Sequence, residues 1–451
     1  MERAGHIEAI QRAGGRVYEV GGVVRDRLLG LAPKDADYLV TKLPASKLIE
    51  ILKPFGSVHG VGQSFGVVKF RPRGTPPEAP ELDFALPRRE RSTGPGHRDF
   101  DVDFDPEIPV EEDLKRRDFT VNAMAQDLAD GRIVDPFGGR ADLEKRVLRI
   151  VFPNAFVDDP LRILRGIQFA ARFGLAAEPE TLASMTANAE RITTVSGERI
   201  AQELKKLLLS PKPSIGFYLM RDIGLLAFLL PELHALIGVT QPGKKDVGDA
   251  FDHTLRVLDA SRSDRELENA GDLTLMLAAL FHDLGKATTR KEEGGRVTFH
   301  GHQFVSRRLT ERRLKALRVE QIGVDPKEIA TLVENHMYDT GPDFTDKAVR
   351  RFANKIGLRL VFMQIDLRIA DNRGGAHPSN IRKPLAMRKR IREELEKKAP
   401  FGLKDLAITG ADLLAQGYAP GPKLGEKLKE LLDLVLDEPE LNTREALLKR
   451  I

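Results

Sequence analysis

The sequence predicts an α/β amino-terminal domain built on a mixed sheet with helices, followed by regions that are all-α. Short strand-like segments alternate with helical ones over the first part of the chain, and after Leu148 the apolar residues recur almost wholly at helical spacing. Seven of the ten histidines then fall between His234 and His377, which marks a separate helical region.

Taken in order, Arg16 to Val20 reads as the first strand. Gly21-Gly22 lets the backbone turn closely before a helical run that carries Val24, Leu28 and Leu29. Tyr38 to Val40, Gly66 to Phe70, Leu82 to Leu86 and Ile133 to Asp135 have strand patterns. Pro160 to Phe173 and Glu198 to Leu209 repeat apolar residues at helical spacing, and Pro211, Pro213 and Pro231 punctuate the next stretch of chain. Residues 240 to 250, rich in Gly, Lys and Asp, read as a linker. After Pro378 comes a charged helical tail with Arg382, Lys383, Arg388, Lys389, Arg390 and Arg392 close together. The expected boundaries are 1–147, 148–240, 241–378 and 379–451.

A chain of 451 residues can bury several cores. Lys plus Arg (71) barely exceed Asp plus Glu (67), yet a pI near 9.0 suits a surface that meets a polyanion in patches. The absence of cysteine excludes disulfides, thiolate metal sites and cysteine nucleophiles. The N-terminus lacks the apolar core of a signal peptide, and no run approaches the ~20 apolar residues of a membrane span, so no membrane partner and a soluble cytoplasmic protein are expected.

The chemistry concentrates early. A helix start after Gly21-Gly22 offers N–H groups to an anion. Ala36 separates Asp35 from Asp37, so on a strand both carboxylates leave one face and can share divalent cations. Two-metal phosphoryl transfer needs cations roughly 3.5–4 Å apart, and paired carboxylates supply that geometry. Asp83 can bring a third carboxylate, or be a surface strand residue. Arg116-Arg117 adds bidentate phosphate donors beside a helix start, and Asp135-Pro136-Phe137-Gly138-Gly139 reads as a supporting turn. Around Pro160, Asp159, Arg162 and Arg165 recur every three residues and can face one pocket. A carboxylate accepts from an exocyclic amino group while a guanidinium donates to the adjacent ring nitrogen, the edge that cytosine and adenine share and uracil and guanine lack. The alternative is that Asp159 only caps its helix and the arginines are exposed.

These segments, Gly21 to Asp37, Arg116 to Ala125, Asp135 to Leu143, Asp158 to Phe173 and, less specifically, Glu198 to Leu204, stand in the order of the class II tRNA nucleotidyltransferases, and the first half of the chain resembles that family of CCA-adding enzymes and bacterial poly(A) polymerases. The resemblance implies that Asp35 and Asp37 hold Mg2+, that Gly22, Arg25, Arg117, Arg162 and Arg165 contact the nucleotide, and that Asp159 reads its base. The implied reaction joins the 3′ hydroxyl of a tRNA to the α-phosphate of CTP or ATP. Arg88 to Pro109, with Gly94, Pro95 and Gly96, matches in position a flexible loop that helps CCA-adding members switch from C to A.

His253, His282-Asp283 and Asp371 resemble the ligand set of an HD-type phosphohydrolase, with His302 and His336 completing a second metal position; His300 is the alternative to His302. Imidazole and carboxylate ligands without thiolate suit divalent ions such as Mn2+, Ni2+, Co2+ or Mg2+. In some CCA-adding enzymes such a domain has 2′,3′-cyclic phosphodiesterase, 2′-nucleotidase and phosphatase activity, which implies a role in RNA end repair. The leading expectation is therefore CCA addition to the tRNA acceptor end, with a poly(A) polymerase or a partial CC- or A-adding enzyme as alternatives. From other classes come an RNA-binding or nucleotide-sensing protein with a dead core, and a chain whose main activity is hydrolysis. RNA would be recognised mainly by shape and phosphate contacts, through the helical middle and the tail.

Overall fold

A computed structural model describes residues 5–33, 37–61, 66–76, 79–92, 100–241, 248–338, 345–375, 377–397 and 399–451. The chain divides into two compact units, Met1–Glu203 with Leu219–Leu229, and Leu204–Tyr218 with Leu230–Ile451.

The first unit is built on a seven-stranded sheet. Its strands are β1 (Arg16–Val20), β2 (Asp37–Thr41), β3 (Gly56–Val61), β4 (Val67–Pro72), β5 (Leu82–Ala85), β8 (Ala125–Asp127) and β9 (Ile133–Val134), in the order β3-β4-β5-β2-β1-β8-β9. Only the β2–β5 pair is parallel, so the sheet is mixed as expected. Alternation explains why it is covered on both sides: Val17 and Val40 enter one core with Leu48, Phe70 and Phe84, while their neighbours Tyr18, Val20 and Leu39 enter another with Leu114 and Ala123. Helix α1 (Gly22–Leu28) leaves β1 through Gly21, and α2 (Leu161–Phe173) starts behind Pro160 and stops at Gly174 in the left-handed region.

Three features of this unit escape the pattern reading. Strand β3 is an edge strand, and its Gly56 pairs so closely that an added Cβ would lie 2.0 Å from the Arg71 carbonyl oxygen. Strand β8 is only three residues long. The hairpin of β6 (Arg88–Ser92) and β7 (Phe100–Phe104) begins with the charged run RRERS, which has no apolar alternation. It flanks the expected loop, whose Gly94, Pro95 and Gly96 lie outside the described residues, as do Asp35 and most of the expected linker.

The second unit is helical apart from one hairpin, Lys291–Glu293 with Arg296–Thr298. Helix α3 (Ala250–Ser263) packs on α4 (Leu273–Phe281) and α7 (Leu358–Gly374), and α5 (His302–Leu317) packs on α6 (Pro326–Glu334). Asp249 and Asp272 cap α3 and α4 by accepting backbone N–H bonds. The tail continues with α8 (Arg382–Glu396) and with the cluster of Leu413, Leu431, Val435 and Leu447. Three arginines of the basic tail run have acidic partners within their own unit. Arg388 is buried and ion-paired to Asp366, while Arg390 pairs with Asp346 and Arg392 with Glu268, both at 2.6 Å. These three cations hold α8 to its own unit, because acids distant in sequence converge on them.

Candidate active sites

In the first unit a cleft of about 400 Å3 opens where β1, β2 and α2 meet. Asp37, at the start of β2, lines it. Across the parallel ladder Asp37 is in register with Asp83, and Asp83 with Lys69 of β4, so the three side chains leave the same face of the sheet. Lys69 Nζ donates to Asp83 at 3.0 Å. Asp35 lies outside the described residues.

Gly21 and Gly22 form the floor. At φ 69°, Gly21 lies so close to Arg117 that a Cβ would sit 2.5 Å from its guanidinium, so the bare backbone is what admits Arg117. Burial lowers the Arg117 pKa and Asp113, at 3.6 Å, opposes the shift. Arg25 also lines the cleft: it donates to Asp26 at 2.8 and 2.6 Å and to Asn122 at 2.5 Å, with its guanidinium carbon 4.4 Å from the Phe173 ring centre.

Helix α2 supplies the opposite wall. The backbone N–H of Leu161 donates to Asp159 Oδ1 at 3.2 Å, which is a capping bond, while Oδ2 accepts from Arg199 at 2.7 Å. Asp159 therefore caps its helix and also faces the cleft, so the two roles that its spacing allows do not exclude one another. Arg162 lies over the Phe152 ring and donates to the Arg116 carbonyl at 3.3 Å; Arg165 donates to Asp118 at 2.8 Å. Burial pushes the Asp118 carboxyl up, but Arg165 and the Asn122 amide outweigh it and hold the group below its ordinary value. The sequence pattern does not single out Asp118, Asn122 or Arg199. Asp118 and Asn122 stand inside the segment from Arg116 to Ala125, yet nothing local shows that Arg165 or Arg25 would reach them.

In the second unit, His253 of α3, His282-Asp283 after α4, His302 opening α5, His336 after α6 and Asp371 of α7 converge. Each of the four histidines sets Nδ1 against a backbone carbonyl, of Gly374, Ala279, Phe299 and Val333, at 2.7 to 3.1 Å. A carbonyl only accepts, so Nδ1 carries a proton, and in the neutral imidazole Nε2 is left as a lone pair. Those lone pairs point to shared carboxylates: His253 Nε2 is 3.0 Å from Asp371, His282 Nε2 3.1 Å from Asp283 Oδ2, and His302 Nε2 3.3 Å from Asp283 Oδ1.

Two ligand groups result, His253/His282/Asp283 and Asp283/His302/His336, with Asp283 common to both. The buried Nε2 atoms of His253 and His282 make no hydrogen bond, Lys286 Nζ lies 2.5 Å from Asp283 Oδ2, and His302 and His336 bring their Nε2 atoms to 3.1 Å. Four buried lone pairs and two carboxylates turned on one another are a donor set that fits divalent cations. Burial pushes His336 down to about 3, with the neighbouring His282 adding to it. His302 belongs to the cluster, while His300 lines the cavity of about 570 Å3 in front of it and is exposed.

A mixed sheet with an aspartate and arginine cleft, joined in one chain to a helical centre of four histidines and two aspartates, defines a nucleotidyltransferase carrying an HD domain. Family models match the Poly A polymerase head domain at residues 17–149, a probable RNA and SrmB-binding site of polymerase A at 174–237, the HD domain at 250–371 and tRNA nucleotidyltransferase domain 2 at 383–451. The multifunctional CCA protein of Herminiimonas arsenicoxydans is 42% identical over 308 residues, 67% of this chain and 69% of that one. Among solved structures, the CCA-adding enzyme of Bacillus stearothermophilus in complex with CTP is 25% identical with a TM-score of 0.69, covering 99% of this chain and 96% of that one. The Thermotoga maritima CCA-adding enzyme complexed with tRNA shares the fold at 21% identity and a TM-score of 0.57, over 98% and 92% of the two chains. The chain belongs to the tRNA nucleotidyltransferase family of CCA-adding enzymes and bacterial poly(A) polymerases. Among the described residues no helix is long and apolar enough to cross a membrane.

Proposed function

We propose that this protein adds CCA to tRNA 3′ ends from CTP and ATP without a nucleic-acid template, and that its HD centre hydrolyses phosphate esters at RNA ends. The observation that carries the reading is the presence of Asp37, Asp159 and Arg162 in one cleft. The kinship with multifunctional CCA proteins supports CCA over poly(A) or partial addition.

In the proposed reaction the terminal 3′ oxygen of the tRNA bonds to the α-phosphorus of the nucleotide. The bond from that phosphorus to the bridging oxygen breaks, pyrophosphate leaves, and the hydroxyl proton passes to water. Asp35 and Asp37 would hold Mg2+, which when bound lowers the pKa of the attacking hydroxyl and neutralises the triphosphate. Asp83 stands on the same sheet face as a third carboxylate. Asp159 accepts from the exocyclic amino group and Arg162 donates to the ring nitrogen, so the protein itself selects C and A. Arg117 and Arg165 add positive charge around the phosphates; Arg25 keeps Gly22 and its turn in place.

At the HD centre, His253, His282, Asp283, His302, His336 and Asp371 would hold transition-metal ions such as Ni2+, Mn2+ or Co2+, which when bound activate water. The four matched segments are consistent with domain boundaries near 147, 240 and 378, and the tRNA chemistry with a cytoplasmic location.

The deciding experiment supplies purified protein and Mg2+ with tRNA lacking its 3′ end, adds CTP, ATP or both, and sequences the products. Addition of CCA followed by a stop is expected. A run of A would make the protein a poly(A) polymerase, CC alone or a single A a partial enzyme, and no addition would sink the transferase reading.

A further inference from the structure

We infer that Arg172 binds the β- and γ-phosphates of the incoming nucleoside triphosphate, and the departing pyrophosphate, in a second cavity beside the cleft; this rests on the transferase reading above. That cavity, of about 120 Å3, is lined by Gly22, Arg25, Asp26, Asp37 and Arg172 among others. It shares Gly22, Arg25 and Asp37 with the larger cleft, so the two spaces meet at the Gly-Gly turn and at the carboxylate proposed to hold Mg2+. Asp159 and Arg162 line only the larger one. A nucleotide whose α-phosphate lies at Asp37 and whose base lies at Asp159 must send the rest of its triphosphate away from the base. The Arg172 cavity meets the cleft at Asp37 and has neither Asp159 nor Arg162 in its lining, so it offers such a space.

Helix geometry agrees. Arg162, Arg165, Phe169 and Arg172 of α2 follow one another by three, four and three residues and so form one stripe, about 15 Å long at ~1.5 Å per residue. The base reader stands at its start and Arg172 at its end.

Charge accounting singles out Arg172 within the cavity. Arg25 is buried, and its guanidinium is committed to Asp26 Oδ1 and Asn122. Arg172 reaches Asp26 only through the other oxygen, at 3.9 Å, lies 4.7 Å from the Phe173 ring and remains 32% exposed. Two guanidinium groups thus flank one carboxylate, and the more accessible of them has the planar fork that suits phosphate oxygens.

The test uses the full-length protein and tRNA ending in its discriminator base or in CC, and compares wild type with Arg172→Ala and Arg172→Lys. Loss of one charge-assisted contact predicts about a tenfold rise in KM for both CTP and ATP, with a similar rise in the inhibition constant of pyrophosphate. Discrimination against UTP and GTP should stay unchanged, and Arg172→Lys should recover part of the loss. Calorimetric binding of pyrophosphate with Mg2+ reads the same subsite without turnover. If pyrophosphate binds both variants as it binds wild type, Arg172 is not the subsite. Arg172 is equally ruled out if the Ala variant loses only kcat together with melting temperature and Lys does not rescue it, since that is the behaviour of a structural strut. A wild-type protein that adds no nucleotide at all would overturn the transferase reading itself.

Discussion

Asp159 Oδ2 accepts a hydrogen bond from Arg199 at 2.7 Å, across 40 residues of sequence. The proposed base-reading carboxylate is therefore oriented from the helix Gly197–Leu208 as well as by its own capping bond. Arg199→Met should let Asp159 rotate and blur the distinction between amino and keto edges. We expect the ratio of kcat/KM for CTP over UTP to fall by about tenfold, the size of one charge-assisted bond. An unchanged ratio would mean that Asp159 does not depend on Arg199.

The two chemistries should separate by mutation. Asp37→Ala is expected to lower nucleotide addition by at least about a hundredfold and to leave hydrolysis of a 2′,3′-cyclic nucleotide intact, and Asp283→Ala to do the reverse. Loss of both activities in either variant would show that one site depends on the other.

Asp83 has a structural partner in Lys69 and a chemical neighbour in Asp37. An exposed pair of this kind contributes only about 0–1 kcal/mol to stability. If Asp83 serves as a third carboxylate, Asp83→Asn lowers kcat more than about tenfold with little change in melting temperature. Full activity in the variant would reduce Asp83 to a strand residue.

The Asp118–Arg165 pair has a definite pH signature. The folded Asp118 pKa lies below the ordinary 3.8, so the folded state holds its proton less tightly than the unfolded chain. Its contribution is fully present above the ordinary value and is lost as pH falls through the folded one. Asp118→Asn should cost about 1–3 kcal/mol near neutral pH, and the gap to wild type should close below about pH 4. Denaturant melts from about pH 3 to about pH 8 read this directly, and a gap independent of pH would exclude the carboxylate as its source.

Metal should stabilise the HD-containing part. Binding that favours the folded state adds about 2.7 kcal/mol at roughly a hundred times Kd. Mn2+, Ni2+ or Co2+ should raise the melting temperature after chelation, and His336→Ala should weaken that response by at least about tenfold in metal concentration. Equal responses in both proteins would remove His336 from the ligand set.

The linear order of residues already determined a good deal. Alternation and turn residues located β1, β2, β4, β5 and β9, because an apolar period of two records which faces are buried. Gly21-Gly22, Asp37 at the start of its strand, the Pro160 helix start and the His282-Asp283 dipeptide were legible because each is set by bonds within a few residues. The edge strand β3, the three-residue β8 and the charged hairpin β6–β7 were not, since short or weakly apolar strands owe their form to the partner they pair with.

What only the tertiary structure decided is which charges meet. It spends Arg25 on Asp26 and Asn122, gives Asp159 to Arg199, Arg165 to Asp118 and Arg388 to Asp366, and turns four imidazole nitrogens onto two aspartates. The physical reason is that local propensity and periodicity act over a few residues, whereas these ion pairs and ligand sets are fixed by proximity in space, which, apart from the neighbours Arg25 and Asp26 or His282 and Asp283, joins residues well separated in sequence: 22 positions for Arg388 and Asp366, 40 for Asp159 and Arg199, 97 for Arg25 and Asn122.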